Sequence, residues 1–156
     1  MKVIIDGVEY IPAPIQKVEL EDSNFRVNSD GWRKITVDGE EYLENEEKDI
    51  WEIHEGEYKG EQLFTWDSAI REAEKAGRRL PTIDELYEAE IENVKYVGYR
   101  NTDGKFDSRT TSTNFWSSSA SGANAGSRYL YSGSVGVYRY IDSKANGFSV
   151  RCIASI

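Results

Sequence analysis

Apolar and polar residues alternate with a period of two in much of the first sixty positions, the pattern of half-buried β-strands. Residues 2–12, KVIIDGVEYIP, predict a hairpin that turns at Asp6-Gly7, and residues 32–43, WRKITVDGEEYL, predict a second one that turns at Asp38-Gly39. Residues 48–55, KDIWEIHE, predict a strand in which Ile50 or Trp51 faces inward, depending on the register. Short strands are therefore expected throughout this part of the chain.

The period changes to that of an α-helix in residues 65–77, TWDSAIREAEKAG. Thr65 can cap the first turn, Asp67 lies where the helix dipole favours an anion, and Gly77 is suited to the end of the helix. The predicted buried stripe follows the spacing i, i+3, i+4, i+7 and consists of Trp66, Ala69, Ile70 and Ala73.

A second helix is predicted to begin after Pro81. Thr82 and Glu85 have the spacing of a capping box. The residues expected on the inner face of this helix are Ile83, Leu86, Tyr87, Ile91 and Val94.

Helical periodicity ends near residue 96. Residues 98–114, GYRNTDGKFDSRTTSTN, predict a long loop, whereas GFSVRCI at 147–153 predicts a closing strand with Phe148, Val150 and Cys152 on one face. The 156 residues are enough for one domain with a hydrophobic core. The order of strands (1–63), two helices (64–96) and a loop with further strands (97–156) predicts a single domain of the α+β class.

Tyrosines flank a Ser132-Gly133 turn in SRYLYSGSVGVYRY, residues 127–140. If 128–132 and 135–141 pair as strands, Tyr129 and Tyr131 share one face and Leu130 points to the other. Tyr138 and Tyr140 share a face on the returning strand. The four tyrosines are therefore expected to form one exposed aromatic patch. Such a patch is larger than a monomer has cause to expose.

Residues 117–143 differ in composition from the rest of the chain. These 27 residues contain eight Ser, four Gly and four Tyr, but no Glu, Gln, Lys, Met or Trp. The missing types make up about a quarter of the residues elsewhere, so roughly seven would be expected here. Two interpretations remain open. The segment is either a set of Gly/Ser-rich loops with Tyr-flanked edge strands, or a binding surface in which Tyr gives rigid contact area and Ser and Gly adapt to a ligand.

Charge excludes some classes of partner. The net charge of −9 argues against nucleic acid as a partner. Eleven acidic residues lie between positions 38 and 62, including the run ENEEKD at 44–49, and they are expected to form a solvated surface. No apolar run could span a bilayer, and the N-terminal run before Asp6 is too short for a signal peptide. We therefore expect synthesis in the cytoplasm and no insertion into a membrane. Association with a virion is left open.

Three sites with reactive or ligating side chains favour ordinary structural roles. His54, the single histidine, has no Ser or Cys partner in a catalytic motif and is expected to be a half-exposed strand residue. Cys152, the single cysteine, is expected to be a small buried hydrophobe. Asn101, Asp103 and Asp107 have partial calcium-loop spacing, but the Gly comes too early and no Glu closes the loop, which favours a plain turn. No catalytic residue, metal or cofactor is predicted.

Two parts of the chain resemble a known family. Residues 64–90, FTWDSAIREAEKAGRRLPTIDELYEAE, resemble the W-x-x-A…G-x-R-L-P-T-x-x-E segment of the formylglycine-generating-enzyme branch of the C-type lectin fold. The residues that carry this match are Trp66, Ala69, Gly77, Arg79, Leu80, Pro81, Thr82 and Glu85. FWSSS (115–119), SGSV (132–135) and NGFSVRC (146–152) resemble the ending of that fold in variable proteins of diversity-generating retroelements. The resemblance covers about residues 64–153; the ending is quite specific, whereas the R-L-P-T segment identifies only the fold.

The resemblance implies a cause for the unusual composition. In that family a reverse transcriptase rewrites adenines at the 3′ end of the gene, usually in Asn codons, and the products never include Glu, Gln, Lys, Met or Trp. The positions that it implies are diversified, and thus bind ligand, are Ala120, Ser121, Gly122, Ala123, Ser127, Tyr129, Tyr131, Ser134, Gly136, Tyr138, Tyr140 and Asp142. The framework positions that it implies include Trp116, Ser117, Ser118, Leu130, Ser132, Gly133, Val135, Lys144 and Gly147. The stretch from Val135 to Lys144 is longer than the family pattern, and Gly126 stands where the pattern tends to have an aromatic residue.

Other activities of the fold are not implied. The oxidase members use two late cysteines, where this chain has only Cys152, and the Glu-Pro-Asn, Gln-Pro-Asp and Trp-Asn-Asp motifs of sugar-binding lectins are missing. We therefore expect a non-enzymatic display protein of a virus or prokaryote that binds an unknown protein or cell-surface ligand. The alternative is a non-diversified structural or adhesion module of the same fold, such as a virion tip domain. The terminal strands are expected to pair, the varied side chains to point to water, and Trp116, Leu130 and Val150 to stay inside.

Overall fold

Strands make up most of the regular structure. The structure, a computed structural model, describes residues 3–10, 18–134, 136 and 138–154. Within them the strands are β1 (Val3–Ile5), β2 (Val8–Tyr10), β3 (Arg33–Val37), β4 (Glu40–Asn45), β5 (Ile50–Ile53), β6 (Gln62–Phe64), β7 (Tyr99–Arg100), β8 (Phe106–Asp107), β9 (Ser112–Ser121), β10 (Asn124–Tyr131) and β11 (Tyr138–Ser143). The helices of this part are α1 (Trp66–Lys75) and α2 (Ile83–Glu88). Antiparallel sheets with two separate helices place the protein in the α+β class, as predicted.

Both predicted hairpins are confirmed, and each turns at an Asp-Gly pair. β1 pairs with β2, and β3 with β4, in antiparallel register. The φ angles at the turns are all positive, 51° and 75° at Asp6-Gly7 and 50° and 80° at Asp38-Gly39. Two consecutive positive φ values suit the twist of a tight hairpin, and an Asp-Gly pair adopts them readily. Ile11, at the predicted end of the first hairpin, lies outside the described residues.

β5 is a central strand of the four-stranded sheet, whose order is β3-β4-β5-β6. The prediction that only one of Ile50 and Trp51 faces inward is wrong, because all four residues of β5 are buried. Ile50 lies in the main core, and Trp51 lies under the Arg100 guanidinium, 3.9 Å from the ring centroid. Glu52 is tolerated inside because it accepts hydrogen bonds from the side chains of Gln62 (2.9 Å) and Arg26 (3.2 Å).

Helix α1 begins and ends where the sequence predicts. Thr65 is its N-cap and accepts a hydrogen bond from the Ser68 backbone N–H. Gly77, with a φ of 72°, follows its C-terminal end. The predicted stripe faces the core. Ala69 and Ala73 are buried, and Trp66 and Ile70 are partly buried.

Helix α2 is shorter than its apolar pattern suggests. The capping box of Thr82 and Glu85 is confirmed, with both hydrogen bonds formed. The predicted inner face is only partly right, since Leu86 is fully buried whereas Tyr87 is 39% exposed. Ile91 and Val94 lie beyond the end of the helix, which stops at Glu88. Six residues make less than two turns, so one apolar position is enough to seat the helix on the sheet.

Residues 98–114 are not simply a long loop. They include β7 and β8, a two-residue antiparallel pair, and the start of β9. Such short pairs leave no periodicity in the sequence, which explains why the pattern predicts a loop.

The closing strand predicted at 147–153 does not form as a regular strand; the segment instead connects several parts of the molecule through single bridges. Phe148 pairs with Phe64 of β6, Ser149 with Phe115 of β9, and Gly147 with Arg100 of β7. The same segment continues to residues 19–25, where the Phe25 and Glu21 N–H groups donate to the Val150 and Cys152 carbonyls. The two ends of the chain thus meet, but through residues 19–25, while β1 and β2 form a sheet of their own.

The main core is formed by residues of α1, β9 and the closing segment, among others. Trp116 and Val150 are fully buried, as predicted. Leu130, which was also expected inside, is only partly buried. Among the described helices, none is long and apolar enough to cross a membrane.

Candidate functional site

The predicted tyrosine hairpin forms, and its register places all four rings on one side. β11, β10 and β9 make a three-stranded antiparallel sheet in that order. Tyr129 pairs with Tyr138, and Ser127 with Tyr140. Since alternate residues of a strand share a face, Tyr131 lies beside Tyr129 on the same side. Val135, in the connecting segment, lies outside the described residues.

We call the set Tyr129, Tyr131, Tyr138 and Tyr140 the tyrosine face. Tyr129 is at its centre, with its ring centroid 5.9, 6.2 and 5.6 Å from those of Tyr131, Tyr138 and Tyr140. The three outer rings are 41%, 36% and 47% exposed, whereas Tyr129 is half-buried by them. The rings support one another in edge and stacked arrangements, which gives a rigid aromatic surface open to solvent.

Helix α2 explains why this side of the sheet is free. It packs on the opposite side, where the Arg128 guanidinium donates to the carbonyl oxygens of Leu86 (2.9 Å) and Ala89 (2.6 Å). Arg139, next to Arg128, pairs with Asp84 at 3.0 Å. The arginines and tyrosines alternate along β10 and β11, so binding α2 through the arginines turns the tyrosines toward solvent.

An open groove of about 380 Å³ borders the tyrosine face. Its lining consists of Tyr99, Asn101, Asn114, Tyr129, Tyr140, Asp142, Asn146 and Phe148. In its wall the Ser127 hydroxyl donates to Asp142 Oδ2 at 2.7 Å. Burial raises the pKa of Asp142, and the Ser127 hydrogen bond only partly opposes that rise.

The twelve predicted positions fall into two groups. Ala120, Ser121, Gly122 and Ala123 are exposed at the turn between β9 and β10, at the opposite end of β10 from Tyr131. The other eight form or border the tyrosine face: Ser127, Tyr129, Tyr131, Ser134, Gly136, Tyr138, Tyr140 and Asp142. The structure thus brings together the larger group, while the four small residues form a separate tip.

The expectation that all these side chains point to water is wrong for Ser127. Ser127 is 0% exposed, because its hydroxyl is enclosed between Asp142 and Asn114. Tyr129, Ser134 and Asp142 are only partly exposed. Substitution at Ser127 therefore disturbs the sheet as well as the surface.

Two glycines in this region are constrained by close neighbours. A Cβ at Gly126 would lie 3.0 Å from Ser117 Oγ and 3.2 Å from the Ile83 side chain, so the aromatic residue of the family pattern has no room here. A Cβ at Gly136 would lie 2.6 Å from the Tyr138 hydroxyl oxygen. Variation at Gly136 therefore requires the Tyr138 ring to move.

The other candidate residues have structural surroundings. His54 is half-buried directly after β5. Cys152 is buried, and burial, followed by the nearby Glu21 carboxylate, raises the pKa of its thiol to about 12. Asp103 and Asp107 accept hydrogen bonds from the backbone N–H groups of Lys105 (3.0 Å) and Ser108 (2.6 Å), as in a plain turn. In the described part of the chain, no three His, Cys, Asp or Glu side chains cluster in a way that could hold a metal.

The acidic stretch is not entirely a solvated surface. Glu61 is buried and accepts hydrogen bonds from Asn24 (3.1 Å) and Lys95 (2.8 Å). Glu44, in the run 44–49, binds the Arg33 guanidinium at 2.7 Å and the Trp51 indole N–H at 2.8 Å. Each of these carboxylates is accommodated because a cation or an N–H group faces it.

Five residues of the groove were not predicted as part of the binding surface: Tyr99, Asn101, Asn114, Asn146 and Phe148. Tyr99 lies in the predicted loop, and Phe148 was assigned only to the core. Asn114, 5% exposed, is directly paired with Tyr129 across the sheet. Extending the period-two alternation of β9 by one step would find Asn114, but no local signal places Tyr99 or Phe148 beside the tyrosines.

Comparison of the chain with protein-family models, curated proteins and solved structures finds no match.

Proposed function

We propose that the tyrosine face is the ligand-binding surface of a display protein with a C-type lectin fold, and that a retroelement diversifies this surface. One coincidence carries the proposal. The only segment of such length that lacks Glu, Gln, Lys, Met and Trp, residues 117–143, contains the exposed ring cluster. A structural role gives no reason for both properties to occur together.

The surface has the chemistry of known binding surfaces. Four tyrosines give a large contact area, and because they already pack on one another, little side-chain entropy is lost when a ligand covers them. The serines and glycines around them offer small polar contacts. The edge-to-face and stacked rings support the interpretation of the face as preorganised for binding.

The packing supports a separation between binding surface and scaffold. The residues that hold this part of the molecule together lie elsewhere, with Trp116 inside the core and Arg128 on the side facing α2. A change at Tyr131, Tyr138 or Tyr140 therefore leaves the main packing in place. The pairing of residues 19–25 with the closing segment is consistent with the termini expected for a C-type lectin fold.

One observation favours the alternative, a non-diversified adhesion module. Ser127 and Asp142 are both among the predicted variable positions, yet they bind each other in the wall of the groove. A gene that rewrites these codons freely would often break that contact. The alternative keeps the tyrosine face as a binding surface and removes only its diversification.

Sequencing the gene in closely related genomes separates the two functions. Diversification predicts differences confined to about residues 119–143, changes at adenines of a nearby near-copy, and a neighbouring reverse-transcriptase gene. Within that segment we expect the exposed Tyr131, Tyr138 and Tyr140 codons to vary more than that of Ser127. An unvarying segment would leave only the adhesion module.

A further inference from the structure

Among the described residues, the lining of the groove beside the tyrosine face contains four aromatic side chains and one charged side chain, Asp142. The Tyr129 and Tyr140 rings meet at 89° on one side, and the Tyr99 and Phe148 rings meet at 88° on another. Asp142 lines the same groove, and the lining includes no basic side chain among the described residues. The groove therefore combines aromatic rings with one anion.

Two hydrogen-bond acceptors in the groove have spare capacity. Asp142 uses Oδ2 to accept from Ser127, and it forms no ion pair with any described residue. The carbonyl oxygen of the Asn114 side chain is buried and finds no hydrogen-bond partner in the part of the chain that the structure describes. Buried acceptors without donors are costly, so a ligand that brings N–H donors is favoured.

We propose that this groove binds an aliphatic ammonium group, as carried by a lysine side chain of a partner protein. The proposal rests on the proposed function, because it names the chemistry recognised by the same face. An ammonium group has three donors and no acceptor, which complements the Asp142 carboxylate and the Asn114 carbonyl oxygen. Aromatic ring faces attract the same cation, and the protein's net charge of −9 steers cations toward it.

The test uses Nα-acetyl-lysine methyl ester, in which the side-chain ammonium group is free, as the probe. Nα-acetyl-norleucine methyl ester is the uncharged comparison. In a titration of ¹⁵N-labelled protein followed by NMR, the lysine ester should shift the backbone amide signals of Asn114, Ser127, Tyr129, Tyr140 and Asp142. A single subsite is expected to bind with a dissociation constant on the order of millimolar. The norleucine ester should bind at least about tenfold more weakly, because it lacks the charged donors. Equal affinity for the two esters, or shifts confined to the acidic stretch 38–62, would overturn the proposal.

Two variants localise the effect. Asp142→Asn should weaken binding of the lysine ester by at least about tenfold, since it removes the anion that the ammonium group contacts. Tyr140→Leu keeps apolar bulk but removes an aromatic ring, and should also weaken binding several-fold, by about the strength of a cation–π contact. The matched control Asp30→Asn removes one exposed carboxylate that does not line the groove and should leave the affinity unchanged. If Asp30→Asn weakened binding as much as Asp142→Asn, the affinity would depend only on the net charge of the protein. That result would contradict an ammonium site at Asp142.

Failure of this inference can be distinguished from failure of the proposed function. If the lysine ester does not bind, but binders from a random peptide library lose affinity on Tyr138→Ser, then the face binds ligands of another chemistry and only the ammonium site is wrong. If the lysine ester binds at Asp142 and the norleucine ester does not, the ammonium site stands, whether or not the gene is diversified.

Discussion

At the residue scale, Asp142 differs from the carboxylates that stabilise the fold. It is a half-buried carboxylate with one hydrogen bond and no ion pair among the described residues. By contrast, the buried Glu52 and Glu61 have both amide and cationic partners. A carboxylate that remains under-compensated in the folded protein costs folding free energy, which is reasonable where a ligand supplies the missing partner.

Replacing Asp142 by Asn should therefore not destabilise the protein at pH 7. Burial raises the pKa of Asp142 in the folded state, so the stability tied to this group is fully present below the unfolded pKa and is lost as the pH rises through the folded pKa. The variant should melt at the same temperature as the wild type or higher at pH 7, and this difference should vanish near pH 3. Melting curves followed by circular dichroism at both values, with Asp30→Asn as the control, measure it. A clear fall in melting temperature at pH 7 would mean that Asp142 holds the fold together.

Helix α2 shows at the element scale which parts of the fold local sequence can predict. Its start was predictable, because a capping box is defined by two residues three positions apart. Its end was not, because Ile91 and Val94 continue the helical spacing while the chain turns away after Glu88. The hairpins follow the same rule, since Asp-Gly turns are local signals. β7 and β8 are only two residues long, and β7 is bridged to the distant Gly147, so neither strand leaves a signal in a short window of the sequence.

The capping box of α2 also predicts a dependence on pH. Hydrogen bonds from the Arg79 side chain lower the pKa of Glu85 to about 2, although burial alone would raise it. A depressed folded pKa contributes stability that is present above the unfolded value and lost as the pH falls toward 2. Glu85→Gln should lower stability at pH 7 by on the order of 1 kcal/mol, because solvent screens the exposed Arg79, and should flatten the loss of stability in acid.

Urea denaturation between pH 2 and pH 7 measures this effect. Glu88→Gln is the matched control, since Glu88 is an exposed residue of the same helix. The same acid profile for both variants would contradict a stabilising role of the Glu85 carboxylate in this cap.

At the scale of the whole molecule, the two sides of the sheet of β9, β10 and β11 have different surroundings. One side binds α2 through Arg128 and Arg139, and the other presents the tyrosine face. Period-two alternation is enough to predict which residues share a side, so the tyrosine face could be predicted from the sequence. The groove could not, because Tyr99 is far from the tyrosines in sequence and Phe148 lies in the closing segment, which the pattern assigns only to the core. Ser127 was misjudged because alternation identifies its side of the sheet but not the side chains that cover it.

Mapping the surface on which selected peptides bind tests the role of the tyrosine face most directly. A random peptide library is selected on the wild-type protein, and the affinity of each selected peptide is then measured on Tyr138→Ser and on Tyr87→Ser. These tyrosines are 36% and 39% exposed, but Tyr87 lies on the helix side of the sheet. We expect Tyr138→Ser to weaken most peptides at least about tenfold while it changes the free energy of unfolding by less than about 1 kcal/mol, and Tyr87→Ser to leave affinity intact. Equal affinity of the peptides for both variants would contradict the proposal that the tyrosine face binds ligands. Unfolding of Tyr138→Ser would show that the face stabilises the fold instead.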